Sequence, residues 1–167
     1  MVETLVAVAI LMISIAGPLT IAQKGLTAAI YAKDQVIATF LAEDAVEYIK
    51  NMRDENVNAA AGWLDNIEYV NNGPCLDSTD LCVVSTVPGL AAASQGFSRV
   101  SNPDGTVISN EGSGYAYGVS QKTQFSRVYY LKNVTTDEAT LIVKVTWANG
   151  VVQNSVVLEN QIFNIIR

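Results

Sequence analysis

Residues 1–23 read MVETLVAVAILMISIAGPLTIAQ and hold a single charge, Glu3. From Thr4 to Gln23 there is none. A helix over that run, rising about 1.5 Å per residue, reaches roughly 30 Å, enough to cross a bilayer core. Three ordinary segments share this composition. A secretory signal opens with Lys or Arg and has a shorter apolar stretch before a small-x-small cleavage site. Here no base precedes the run, although Thr20-Ile21-Ala22 has the small-residue pattern. A single-span anchor is the second reading, with Lys24 and Lys33 as its positive flank. A buried helix of a soluble core ranks last, because the run is too long and too uniformly apolar. None of the three uses Glu3, whose carboxylate beside an apolar span is disfavoured unless a positive group meets it.

Beyond Gln23 the helix is expected to continue. Leu26, Ile30, Ile37, Leu41, Ala45, Tyr48 and Met52 fall on one stripe at helical spacing, widened by Val36, Phe40 and Ile49. One domain needs one apolar face, so the width leaves a second face for another contact. Charges of both signs follow: Glu43 and Glu47 repel across one turn, whereas Glu47 and Lys50 are favourably spaced. Most of these charges read as a solvated face. The helix is expected to run to about Asn56, near 80 Å. Inside it, Gly17, Pro18 and Gly25 are helix breakers. Proline lacks the N–H and clashes with the carbonyl of Ser14, so a kink or an unwound stretch is expected between Ser14 and Gly25.

Residues 57–167 are rich in Val, Thr, Ser, Asn and Gly and are long enough for a core of their own. Their first half is broken by Asn72-Gly73-Pro74, Pro88-Gly89, Asn102-Pro103-Asp104-Gly105 and Glu111-Gly112-Ser113-Gly114, which predicts loops with short strands. In the second half, 125–132 (FSRVYYLK) and 141–148 (LIVKVTWA) read as strands, and Asn149-Gly150 before 151–158 is a hairpin signal. Alternation sends Leu141, Val143, Val145 and Trp147 to the core and Ile142, Lys144 and Thr146 away from it. The terminal QIFNIIR is a candidate edge strand or a closing segment of the head, with Arg167 at its solvent end. The fold class expected is α+β: a long N-terminal helical stalk, residues 1–56, packed against a C-terminal antiparallel β-sheet head, residues 57–167.

Met1-Val2-Glu3-Thr4-Leu5 running into Val6-Ala7-Val8-Ala9-Ile10-Leu11 resembles the N-terminal segment of the type IV pilin and pseudopilin family. The resemblance covers about the first fifty residues. In that family a prepilin peptidase removes a short basic leader ending in Gly, the new N-terminal amine is methylated, and a Glu soon follows ahead of an apolar helix. The family's acid is usually fifth in the mature chain, whereas Glu3 is third and the leader and Gly are absent. Either two residues are missing ahead of Met1, or the mature chain starts there with shorter spacing. The resemblance implies a pilin-like stalk and head, and assembly by staggered parallel packing of helices, with Glu3 beside the terminal ammonium of a neighbour. It also implies partial melting of the helix near its breakers on assembly. Such pairing in a low dielectric sets register more surely than it adds stability, because desolvation offsets the attraction. A head-to-tail contact whose rotation does not close yields an open filament.

Cys75 and Cys82 are the only cysteines, and an even number in an exported head favours a disulfide worth about 2.5 kcal/mol in the chain-entropy model. Many type IV pilins place a disulfide nearer the C-terminus. The chain has no histidine, which excludes a Ser-His-Asp triad, a Cys-His pair and His-based metal sites. Asp77, Asp80, Asp137 and Glu138 fall far short of a calcium loop and read as solvated turn acids. There is no phosphate-binding Gly-x-x-x-x-Gly-Lys loop. No catalytic, cofactor or metal site is expected. A formal charge of -6 disfavours nucleic acid, which would need local clustering of bases with Arg99, Lys122, Arg127 and Lys132 as the only candidates. Asn133-Val134-Thr135 matches a glycosylation triplet that also arises by chance.

Two function classes follow. One is a structural subunit of a type IV pilus-like filament, with the roles in adhesion and motility that the resemblance implies. Its partners are copies of itself, the prepilin peptidase and the inner-membrane assembly machinery. It resides in the inner membrane before assembly and at the cell surface afterwards. A pseudopilin or minor pilin of a secretion or DNA-uptake system shares this helix. The other class is a membrane-anchored extracellular binding domain, which needs the helix but not Glu3.

Overall fold

The computed structural model describes residues 2–70, 73–84, 97–99, 107–110, 115–117 and 122–165. One helix, α1 (Val2–Asn58), is followed by nine strands: β1 (Tyr69–Val70), β2 (Gly73–Pro74), β3 (Cys82–Val84), β4 (Phe97–Arg99), β5 (Val107–Asn110), β6 (Tyr115–Tyr117), β7 (Lys122–Lys132), β8 (Glu138–Asn149) and β9 (Val152–Phe163). The class is α+β, a long N-terminal helix packed against a C-terminal antiparallel sheet. By compactness the chain divides into Met1–Val36 and Ile37–Arg167. The division by compactness falls inside α1, while the helix itself ends at Asn58.

That division follows burial. Every described residue from Val2 to Lys33 is exposed, whereas Ala38, Leu41, Ala42, Ala45, Val46, Ile49 and Met52 are buried in the core of the second unit. The expected stripe thus begins to bury at its third member: Leu26 and Ile30 are exposed, Ile37 packs against the core, and Ile49 lies at the centre of the buried face. Val36 and Phe40 stay outside, with Phe40 65% exposed.

The helix ends by backbone geometry. Ala61 N donates to Asn56 O at 3.0 Å and Ala60 N to Val57 O at 3.2 Å, with Ala60 at φ 54°. This is the Schellman pattern, in which a left-handed residue turns the chain out of the helix, here an alanine where glycine is commoner. Asn56, buried, donates through Nδ2 to Asp65 O at 2.8 Å and ties the following loop to the last turn.

Within the second unit, β7, β8 and β9 form an antiparallel meander. The other edge of β7 is shared by β3 and β5, which pair in turn with β4 and β6. β1 and β2 form a separate two-stranded ladder. Leu141, Val143, Val145 and Trp147 face the core as expected. The opposite face of β8 is mixed, because Ile142 is also buried while Lys144 is exposed. Short strands in the first half match the expected pattern of loops and short strands, although Pro88-Gly89, Asn102-Gly105 and Glu111-Gly114 lie outside the described residues, as does Asn72.

The β8–β9 hairpin differs from expectation by one residue. Asn149 pairs with Val152, so the loop residues are Gly150 and Val151. Gly150 has φ 66°, and Val151 has no positive φ. That is the pattern of a II′ turn, which needs its glycine first. Asn149 is the last residue of β8 instead of the first of the turn. The terminal segment prolongs β9 to Phe163 as an edge strand, and Arg167 lies outside the described residues.

Cys75 and Cys82 form the expected disulfide, with Cα atoms 5.7 Å apart and both side chains fully buried. Cys75 O accepts from Leu131 N at 2.7 Å and Cys75 N donates to Glu68 O at 2.7 Å, so the closed loop is stitched to β7. Replacing both cysteines by alanine is expected to lower head stability by about 2–3 kcal/mol, read by chemical denaturation of the full chain in detergent. Unchanged stability would show that the loop is held by these backbone bonds alone.

Candidate functional site

The exposed part of α1 is the first candidate. Leu5, Ile10, Leu11, Met12, Ile13, Ile15, Leu19 and Ile21 are each more than half exposed, and no part of the most apolar stretch is buried. The helix is long and apolar enough to cross a membrane. An apolar surface this continuous on a water-soluble monomer would be unusual and marks an interaction surface. Its polar residues are satisfied internally: Ser14 Oγ lies 2.9 Å from the carbonyls of both Ile10 and Leu11, Thr20 Oγ1 donates to Ala16 O at 2.9 Å, and Thr27 Oγ1 to Gln23 O at 3.0 Å. Back-bonding of this kind lets hydroxyls enter an apolar medium without lost hydrogen bonds.

Glu3 sits exposed in the first turn of α1. There the helix dipole favours an acid by about 0.3–1 kcal/mol in water. Met1, its expected counterpart in a neighbouring copy, lies outside the described residues.

Of the kink or unwound stretch expected between Ser14 and Gly25, the unwound stretch does not occur. Residues 14 to 25 are helical without interruption, with Pro18 inside α1. Proline removes one rung of the ladder, whereas helix propagation is cooperative and the apolar residues on either side are mostly good helix formers. A Cβ built on Gly17 or Gly25 would meet nothing within 4 Å. Among the described residues nothing packs against these glycines. Small residues of this kind are where membrane or filament helices approach one another closely.

The second candidate lies in the head and was not singled out as a structural centre by the sequence. Arg127 on β7 is 1% exposed. Its Nη1 donates to Leu41 O at 2.7 Å and to Asp44 Oδ2 at 2.8 Å, and its Nη2 donates to Val84 O at 2.9 Å. One guanidinium joins α1, β7 and the end of β3. It is thereby removed from the basic residues considered for nucleic acid, since a phosphate cannot reach it. Strand parity carried the signal: Phe125, Arg127, Tyr129 and Leu131 share one face, and the other three are apolar or aromatic. Tyr129 beside it is fully buried, donates its hydroxyl to Ile67 O at 3.1 Å, and is pushed well above the usual phenol range by burial.

The turn acids are occupied locally. Asp77 Oδ1 accepts from Thr79 Oγ1, from Thr79 N and from Asp80 N, and the Thr79 hydroxyl is the main reason its carboxyl is held below the usual range. Thr135 organises the β7–β8 turn: its hydroxyl donates to Glu138 O at 3.0 Å and accepts from Glu138 N at 3.0 Å. With Asn133 at φ 50°, the Asn133-Val134-Thr135 triplet has a structural use in that turn. Among the described residues, no three metal-ligating side chains come together.

No protein-family model, characterised protein or solved structure matches the chain.

Two predictions follow from the head. Arg127→Met should destabilise it by about 3 kcal/mol or more, because two inward carbonyls lose their donor. Asp44→Asn should cost about 1 kcal/mol, since the Asp44 side chain is 47% exposed and water replaces the lost charge. Denaturant midpoints compare the two, and equal losses would contradict the assigned asymmetry. The second concerns alkaline pH. With its folded pKa raised, Tyr129 keeps its proton when the unfolded chain loses it, so its stability contribution is complete below pH 10 and falls as pH rises past it. The slope approaches about 1.4 kcal/mol per pH unit for this one proton. Tyr129→Phe should flatten the stability profile above pH 10.

Proposed function

We propose that the chain is a structural subunit of an extracellular, type IV pilus-like filament. The observation that carries this reading is α1 from Val2 to Lys33: apolar, exposed on every side, and headed by an acid in its first turn. In a lipid bilayer the helix is a stable intermediate. In a filament the same surface is buried by parallel, staggered copies, and Glu3 meets the terminal ammonium of a neighbour. The contact is head-to-tail, so it extends without closing. No chemistry is assigned to the chain. The prepilin peptidase and the inner-membrane assembly machinery are its proposed partners before assembly, and the cell surface its destination.

A membrane tether carrying a binding head would use the apolar residues equally well. It has no use for a carboxylate at the edge of the span, nor for two glycines with open space around them. The pseudopilin and minor-pilin variants share the assembly contact and differ in what the head meets.

Glu3→Ala is the decisive variant. It should leave the chain folded and membrane-inserted but abolish filaments or leave them few and disordered, seen by electron microscopy of sheared surface material. Normal filaments from this variant would remove the register role of Glu3. A complete absence of filaments from the unaltered chain, with the head displayed at the surface, would favour the tether.

A further inference from the structure

The head carries a second surface whose shape and charge specify a partner. Between the Glu43–Lys50 turns of α1 and Leu158–Asn160 of β9 runs a groove of about 410 Å³. Its floor is apolar, made by Val46 and Leu158. Its rim is acidic: Glu43, Glu47 and Glu159 outnumber Lys50, and among the described residues none of these four forms an ion pair. Glu43 and Glu47 stand one helical turn apart and repel each other. Phe40, 65% exposed, lies one turn before Glu43 on the same side of the helix.

The groove also follows an unprotected sheet edge. β9 pairs in unbroken register with β8 over twelve residues, and among the described residues with no other strand. It contains no proline and no lysine, and its one charge is Glu159. Proteins cover such edges with a helix or a loop, or they pair.

We propose that this groove receives the Leu26–Lys33 turns of α1 from a neighbouring copy. The inference rests on the filament reading and adds a specific contact to it. Leu26, Ile30 and Lys33 lie on one side of the helix at spacings of four and three. The first two are exposed apolar residues, and Lys33 is an exposed base with no ion pair among the described residues. Their order matches the groove read in the same direction. Ile30 falls against Phe40 and the apolar floor, and Lys33 falls between Glu43, Glu47 and Glu159. Parallel helices offset by ten to fourteen residues, about 15–21 Å, bring these groups level. A staggered polymer supplies such an offset, and the neighbour's helix then also covers the edge of β9.

The test uses the full chain expressed with its assembly machinery, with filament yield measured in the sheared fraction and total chain measured in membranes. Lys33→Glu and Glu47→Lys should each lower filament yield about tenfold or more, a loss of roughly 1.4 kcal/mol per contact. The double variant Lys33→Glu with Glu47→Lys should recover most of it. A cysteine pair at 33 and 47 should give a ladder of disulfide-linked oligomers in isolated filaments and none in dispersed membranes. Both positions are exposed, so total chain should stay constant. If Glu3→Ala abolishes filaments while both charge reversals assemble normally and the cysteine pair does not cross-link, the groove contact is wrong and the filament reading stands. If the unaltered chain makes no filaments, both fall.

Discussion

A guanidinium with 1% of its surface exposed holds the head together. Arg127 spans from β7 to the backbone of α1 at Leu41 and to the end of β3 at Val84, and its Asp44 partner reaches solvent. Hydrophobic burial favours bringing the helix onto the sheet but is non-directional, and would accept many rotations and slides. Two carbonyl acceptors and one carboxylate in fixed positions do not. The carboxylate at the rim keeps the charge balanced without burying both ions, which limits the desolvation cost. The arrangement therefore selects one docking of α1, with the Ala38–Met52 face inward, and so fixes which residues of the helix remain outside.

That selection explains why the helix has two unlike halves. From Ile37 onward its small and large apolar residues alternate against β7 and β8, and Ala38, Ala42 and Ala45 are fully buried. From Val2 to Lys33 every described residue is exposed, with large aliphatic side chains on all sides, and Asp34 is the first residue to be buried. A single helix thus serves as core element and as bare interaction surface. Phe40 and Val36 continue the bare surface past the point where the opposite face is already buried.

Much of this was legible from the residues. The uncharged run, the hydrophobic stripe, the two strongest strands and the cysteine pair each rest on a local rule with one outcome, and each appears in the structure. The departures arise where a local rule competes with a longer-range one. Asn149-Gly150 is a turn dipeptide, yet the β8–β9 register places the glycine first in the loop and the asparagine in the strand. Pro18 is a helix breaker, yet one missing rung is outweighed by the rungs on either side. Arg127 looked like one more surface base because charge was counted along the chain. Strand parity, applied to Leu141–Trp147 but not to Phe125–Leu131, places it in the core.

Glu3 is the residue whose environment the folded chain leaves most incomplete. At an exposed helix N-terminus in water it is unremarkable, favoured by a few tenths of a kcal/mol to about 1 kcal/mol through the dipole. The same helix is long and apolar enough to cross a membrane, and in the proposed filament it would rest first in lipid and then among other helices. In either medium an unpaired carboxylate costs several kcal/mol, more than the dipole returns. Under the filament reading proposed above, a cationic partner makes up the difference. A partner cation supplied by the next copy turns the same cost into a condition on assembly, since only the stagger that brings the charges together is tolerated. In the proposed filament the apolar surface would favour association in any register, and Glu3 would be the group that chooses among them.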